Sequence, residues 1–206
     1  AQDQDRLSQG NLRYVNNGSN WLGIRATFAI PAGKWYWEYT QVGADGASYG
    51  IASKDTPLND HVGGTGSTPA HTWGGANWYQ NGSGTGTGLA AMADGDVIGV
   101  AYDTANGKLH FRRNGQWYGA SWATKTASQV AAGTDPVTSS VQTDTEFFPA
   151  HSNYSSGRGC HVNFGQRAFK YTAPTDFKCI TSENLPDVFG ANSNVLEDKN
   201  DPSKYF

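Results

Sequence analysis

Apolar and polar residues alternate in short runs along this chain, and clusters of Gly, Asn and Asp separate the runs. A period of two marks strands with one face in a core, and closely spaced turn clusters point to a sandwich or barrel. The pattern predicts strands at Trp21 to Ile30, Lys34 to Val42, Ser48 to Ser53, Val97 to Asp103, Lys108 to Arg113, Phe147 to His151 and His161 to Phe164. Between the fourth and fifth, Asp103-Thr-Ala-Asn-Gly107 supplies a tight hairpin, because Asn106 and Gly107 tolerate positive φ. In Gly33-Lys-Trp-Tyr-Trp-Glu-Tyr39, alternation puts Trp35, Trp37 and Tyr39 on one face and Tyr36 and Glu38 on the other. One of those faces must be core.

Three stretches read as loops. Lys54 to Thr72 is polar and turn-rich, Gly82 to Gly88 is a low-complexity run expected to be mobile, and Tyr118 to Thr145 is long and rich in small and hydroxyl residues. Loops beyond about 12 to 15 residues in a compact domain are usually functional or disordered. From Thr181 to Phe206 the alternation is lost. The expected organisation is therefore one β domain over residues 1–180, followed by a polar arm over 181–206. Its last residues, Tyr205 and Phe206, are too apolar for a free tail and suggest docking or a further segment.

A length of 206 residues suits a single all-β domain. With 26 Gly and only 16% charged residues, the composition favours turns and pleated surfaces over helices. The net charge of −3 supplies no basic field to gather phosphates, which argues against a nucleic-acid partner. The longest apolar stretches, such as Val97 to Tyr102, are too short to span a bilayer, and the polar start from Ala1 to Leu7 carries no signal segment. A soluble chain without membrane insertion is expected. Cys160 and Cys179 lack the spacing of a zinc site and read as ordinary packed thiols.

Five ordered motifs carry a family resemblance: Gly33-Lys-Trp-Tyr-Trp-Glu-Tyr39, Tyr49-Gly-Ile-Ala52, Gly95-Asp-Val-Ile-Gly-Val-Ala-Tyr-Asp103, Lys108-Leu-His-Phe-Arg-Arg-Asn-Gly115 and Phe148-Pro149. Val162-Asn-Phe-Gly165, Phe169 and Pro174-Thr-Asp-Phe-Lys178 extend it. In this order and spacing the chain resembles a SPRY domain over roughly Leu7 to Ile180. The resemblance implies a bent, antiparallel two-sheet β-sandwich of the concanavalin-like jelly-roll kind, binding through variable loops at one end, with no cofactor and no catalysis. Phe177 to Pro186, with Asp201-Pro-Ser-Lys-Tyr-Phe206, is similar to the ends of SPRY segments in bacteriophage tail and other virion proteins. The motifs that often precede animal SPRY domains are missing, which weakens a reading as a cellular peptide-binding adaptor.

The residues themselves argue against an enzyme. Glycoside cleavage needs two facing carboxylates, and Glu38 stands alone on its strand. Asp94 and Asp96 flank Gly95 in a turn, where such side chains bond nearby backbone amides. The five histidines are dispersed and match no metal or nucleophile motif, so no metal and no cofactor is expected. Binding candidates are the aromatics beside the Gly-rich connections: Trp73, Trp78, Tyr79, Trp122 and Tyr154. In the family resemblance Trp73 and Tyr79 fall near strand positions and read rather as core, while Trp122, inside the long polar loop, is the candidate surface anchor. Asp60, His61, Asn77 and Asn153 can supply directional hydrogen bonds. The expected function is a virion component, in a tail fibre, tail tip or decoration protein, that recognises a host-surface glycan or protein. The rival expectation is a purely structural part held by neighbouring virion proteins, with homo-oligomers raising avidity in either case.

Overall fold

The computed structural model describes residues 6–44, 46–181 and 183–184. Among the described residues fifteen strands run in chain order: β1 Leu7–Ser8, β2 Arg13–Val15, β3 Leu22–Arg25, β4 Lys34–Val42 and β5 Ala47–Ser53. They continue as β6 Ala70–Trp73, β7 Asn77–Gln80, β8 Ser83–Gly86, β9 Val97–Asp103 and β10 Lys108–Arg113. The last are β11 Gln116–Tyr118, β12 Thr124–Lys125, β13 Phe147–Asn153, β14 Gly159–Asn163 and β15 Lys178–Cys179. One short helix, α1 Ala127–Ala131, interrupts them, closed by a capping box between Thr126 and Gln129.

The strands form two sheets. The first has the order β1-β2-β14-β4-β9-β10-β11-β12, and the second β3-β13-β5-β6-β7-β8. Pairing is antiparallel throughout except at β15, which lies parallel to β4 beside Trp35 and Tyr36. This is the antiparallel two-sheet sandwich that the family resemblance implied, one of the two architectures, sandwich or barrel, that the alternation allowed. In register, Trp37 faces Val100, and Val100 faces Phe111 on the other side. These residues, with Trp35, Tyr39, Ile98 and Leu109, meet Tyr49, Ile51, Trp73 and Phe147 of the second sheet in one core. Each large side chain removed from water there stabilises the fold by roughly 2 to 3 kcal/mol.

The other face of β4 is buried as well. Tyr36 is fully buried in a second cluster with Ala101, Trp117, Val130 and Phe177, over which α1 and the chain around Phe169 are packed. Gly99 is required here, because a Cβ on it would lie 2.8 Å from the Tyr36 ring. At the β9–β10 turn the Asp103 carboxylate accepts hydrogen bonds from the backbone N–H and side-chain amide of Asn106. Of the two residues expected at positive φ, only Gly107 adopts it, at +60°. Asp94 and Asp96 serve as backbone acceptors as expected, from Gly43 N–H and Ala93 N–H, and Asp96 also pairs with Arg113 at 2.5 Å.

Several expectations are corrected. The strand expected over Trp21 to Ile30 shortens to β3, after which Ala26 and Ile30 still donate backbone bonds to Pro149 and Phe147. The run Gly82 to Gly88 contains β8, paired to β7 at the sheet edge, and the loop from Lys54 ends in β6. The stretch Tyr118 to Thr145 holds a 3-10 turn at Ala120–Trp122, β12, α1 and a bridge from Thr138 to Leu109. Cys160 is a buried free thiol and Cys179 a half-buried one. Of the arm expected over 181–206, all but Thr181, Glu183 and Asn184 lies outside the described residues, including Tyr205 and Phe206.

Candidate functional site

The chain from Lys54 to Pro69 lies across the outer face of the second sheet. Leu58 and Val62 pack there on Ala52, Ala70 and Ala150, and Thr72 donates its hydroxyl to Val62 O at 2.8 Å. Alternation sends Tyr79 of β7 to this same outer face, while Trp78 turns inward. His61 therefore lands beside Tyr79, ring centroids 4.2 Å apart and edge to face. On its other side His61 meets Trp21 at 4.1 Å, and Trp21 meets Tyr154 at 5.9 Å. Four rings thus form a continuous patch, with Tyr154 43% exposed at one end.

Polar groups fix this patch. His61 Nε2 lies 3.2 Å from Ser48 Oγ, Ser48 Oγ lies 2.9 Å from Ser152 Oγ, and Val62 N–H donates to Ser152 Oγ. The exposed Asp60 carboxylate accepts from His61 N–H at 2.6 Å. Burial pushes the His61 pKa down to about 4, against a smaller opposing pull from Asp60. The ring is therefore neutral near pH 7. Tyr154 N–H donates to Gly46 O, and a Cβ on Gly46 would lie 2.5 Å from Arg158 Nη1, so the guanidinium sits against this turn.

Of the residues expected to bind, the structure brings together Asp60, His61, Tyr79 and Tyr154, with exposed Asn77 on the same face of β7 as Tyr79. Trp21 and Arg158 were not foreseen. Trp21 opens an apolar run and reads as strand, and only the tertiary fold shows its ring beside His61. The other expectations are corrected. Trp73 is 0% exposed and Trp78 7%, so both are core. Asn153 is fully buried because, at the inward end of β13, its side chain points away from the outer face. Trp122 is no free anchor: at φ 58° it folds back onto Trp73 at 4.9 Å, with Trp78 and Phe111 close by, and covers one open side of the core. Trp122→Ala is expected to lower stability by about 2 kcal/mol, less than the 3 to 5 of a fully interior indole. Urea unfolding checks this, and an unchanged midpoint would return Trp122 to the surface.

Chemically, the patch offers flat ring faces with a carboxylate, an amide and a guanidinium around them. The contact of His61 with the Ser48 hydroxyl is no nucleophile pair, because Ser48 is fully buried and no substrate can reach its hydroxyl.

The SPRY domain family matches residues 34–167, well over half of the chain. The chain belongs to the SPRY family. SPRY domains are typically protein-binding modules and are generally non-catalytic. The crystal structure of the SPRY domain of human HERC1 is similar at a TM-score of 0.59 and 18% identity, covering 79% of this chain and 93% of that one. At that identity the likeness concerns the fold alone. A comparison with curated proteins finds no match. No helix among the described residues is long and apolar enough to cross a membrane.

Proposed function

We propose that this SPRY domain is a non-catalytic recognition module of a phage virion, which binds a host-surface glycan or protein through the Trp21–His61–Tyr79–Tyr154 patch. The observation that carries the site is the convergence of these four rings, from four separate segments, on one outer face. Ring faces stack on the apolar faces of sugars and of protein side chains, and Asp60, Asn77 and Arg158 add the directional bonds that select among ligands. The virion setting is supported by the resemblance of the chain's ending to phage SPRY segments. Single contacts of this kind are modest, so copies repeated on a particle raise avidity by roughly 10²- to 10⁴-fold.

The test uses the full chain, tetramerised, against an array of bacterial surface glycans and against envelope extracts. Trp21→Ala and Tyr154→Ala are expected to cut binding at least tenfold, as truncation of central aromatic contacts does. Undiminished binding by both variants moves the site elsewhere. A tetramer that captures nothing from any envelope removes the recognition role and leaves the purely structural one.

A further inference from the structure

The first sheet carries a row of hydrogen-bond donors on its outer face. Cys160 and Val162 of β14 belong to the core, so alternation turns His161, between them, outward. In register His161 sits opposite Arg13 of β2 on one side and Thr40 of β4 on the other. Arg13 and Thr40 face outward too, because their neighbours Tyr14 and Tyr39 are buried against His151 and Tyr49. Directly opposed residues in a sheet have Cβ atoms about 4.5 to 5.5 Å apart, so a guanidinium, an imidazole and a hydroxyl stand side by side. A fourth group arrives from the turn after β14. Asn163, two residues along the same face, donates its side-chain amide to Ala168 O at 3.2 Å, and Gln166 donates to Val162 O at 3.1 Å. These bonds fold the turn back over the sheet and bring the charge of Arg167 to bear on His161.

These charges have no counter-charge. Among the described residues, the side chains of Arg13, Arg167 and His161 make no ion pair and no hydrogen bond. Glu38 lies on the same face, opposite Asn163, but Arg112, the Tyr36 hydroxyl and the N–H groups of Lys170 and Tyr171 already occupy its carboxylate. Two guanidinium groups thus converge on an imidazole in a chain whose net charge is −3. Burial first, and then the charges of Arg13 and Arg167, hold the His161 pKa below its usual value. The ring therefore stands neutral at pH 7. Gathering like charges is costly, and a cluster that does so is a candidate site for a ligand that supplies the missing charge.

We propose that Arg13, Thr40, His161 and Arg167 form a binding site for a phosphate group, free or as the monoester of a sugar. Such a group carries a charge of about −1.5 to −2 near pH 7 and three strong acceptor oxygens. Each arginine presents a planar fork that fits two of those oxygens, and the Thr40 hydroxyl and the imidazole donate to what remains. His161 takes up a proton as the anion arrives, since an opposite charge within about 4 to 6 Å favours the imidazolium. A carboxylate, with one charge and two oxygens, leaves part of the row unused. The site lies on the outer face of the first sheet, away from the aromatic patch on the second, and does not depend on it.

The probes are glucose 6-phosphate, inorganic phosphate and glucuronate, titrated into the full chain and followed by amide and imidazole chemical shifts. Both phosphates are expected to bind about tenfold more tightly than glucuronate, with shifts centred on Arg13, Thr40, His161 and Arg167. Tighter binding of glucose 6-phosphate than of inorganic phosphate assigns the site to a phosphorylated sugar, and inorganic phosphate binding at least as tightly assigns it to the free anion. Arg13→Gln and Arg167→Gln should each weaken both about tenfold. Lys54→Gln removes the same charge from a side chain 63% exposed on the other sheet and should change nothing. In the unaltered chain the His161 titration midpoint should rise by about one pH unit at saturating phosphate. Glucuronate binding as tightly as the phosphates, no binding of either phosphate, shifts confined to other faces, or a His161 midpoint that stays in place overturns the proposal.

Discussion

Lowering the pH from 6.5 to 4 is expected to remove on the order of 6 kcal/mol of folding stability, a large share of the total of about 5 to 15 kcal/mol that holds a domain folded. The cause is histidines held neutral inside the fold. His151 and His71 are both fully buried, and burial pushes their pKa values down to about 3 and about 4. In the unfolded chain each binds its proton near pH 6.5. Between those values the unfolded state carries more protons, so stability is complete above pH 6.5 and falls as the pH falls toward the folded values. Two such groups give a slope of about 2.7 kcal/mol per pH unit. His61, lowered in the same direction, steepens the fall. Tryptophan fluorescence at fixed urea, from pH 7.5 to 3.5, reads the midpoint directly. His71→Phe, in an aromatic setting beside Trp78 and Phe147, should flatten the acid limb by about one proton. A midpoint that does not move between pH 7 and 4.5 would show that these rings do not enter the core uncharged.

The histidines also mark where sequence reading stopped. Long strands were legible because burial of one face writes itself into alternation, and the bounds expected for β4, β9 and β10 are the ones observed. Strands such as β2, β6, β7 and β8 are only three or four residues long, too short for a period to register, and β8 is half glycine. Both faces of β4 are covered, yet the alternation that separates Trp37 from Tyr36 looks the same whether one side or two are buried. What covers the second face is a segment more than 130 positions away in sequence, as the Lys170 and Tyr171 contacts to Glu38 show. The candidate patch follows the same rule. Asp60, His61, Tyr79 and Tyr154 were identifiable by residue type and by their place beside turns. Whether a turn-side ring ends up exposed depends on what folds over it, which is why Trp122 and Tyr154 looked alike in sequence and part company in space.

That remote contact supports the second large effect, in which Glu38→Ala or Arg112→Ala costs about 3 to 5 kcal/mol. The two side chains are about 95% buried and lie 3.4 Å apart. Glu38 accepts from the Tyr36 hydroxyl at 2.6 Å and from the backbone N–H groups of Lys170 and Tyr171 at 2.7 and 3.0 Å. Arg112 donates to the Tyr36 hydroxyl and to the carbonyls of Tyr171 and Thr172, and lies against the rings of Trp117 at 4.5 Å and Tyr36 at 4.9 Å. The pair thus ties the chain at Lys170–Thr172 to the outer face of the first sheet. Deleting either member leaves the other charge buried and uncompensated, so each single change costs more than the pair contributes net. Arg112→Lys should rescue little, because one ammonium cannot reach two carbonyls and stack on indole together. Replacing both residues, Glu38→Leu with Arg112→Met, should cost less than the sum of the single changes, since no orphan charge remains. Urea midpoints for the four variants decide the matter, and limited proteolysis near Lys170 should accelerate in the single mutants alone. Additive losses would mean that the two residues act independently, and that packing, rather than charge pairing, holds this segment down.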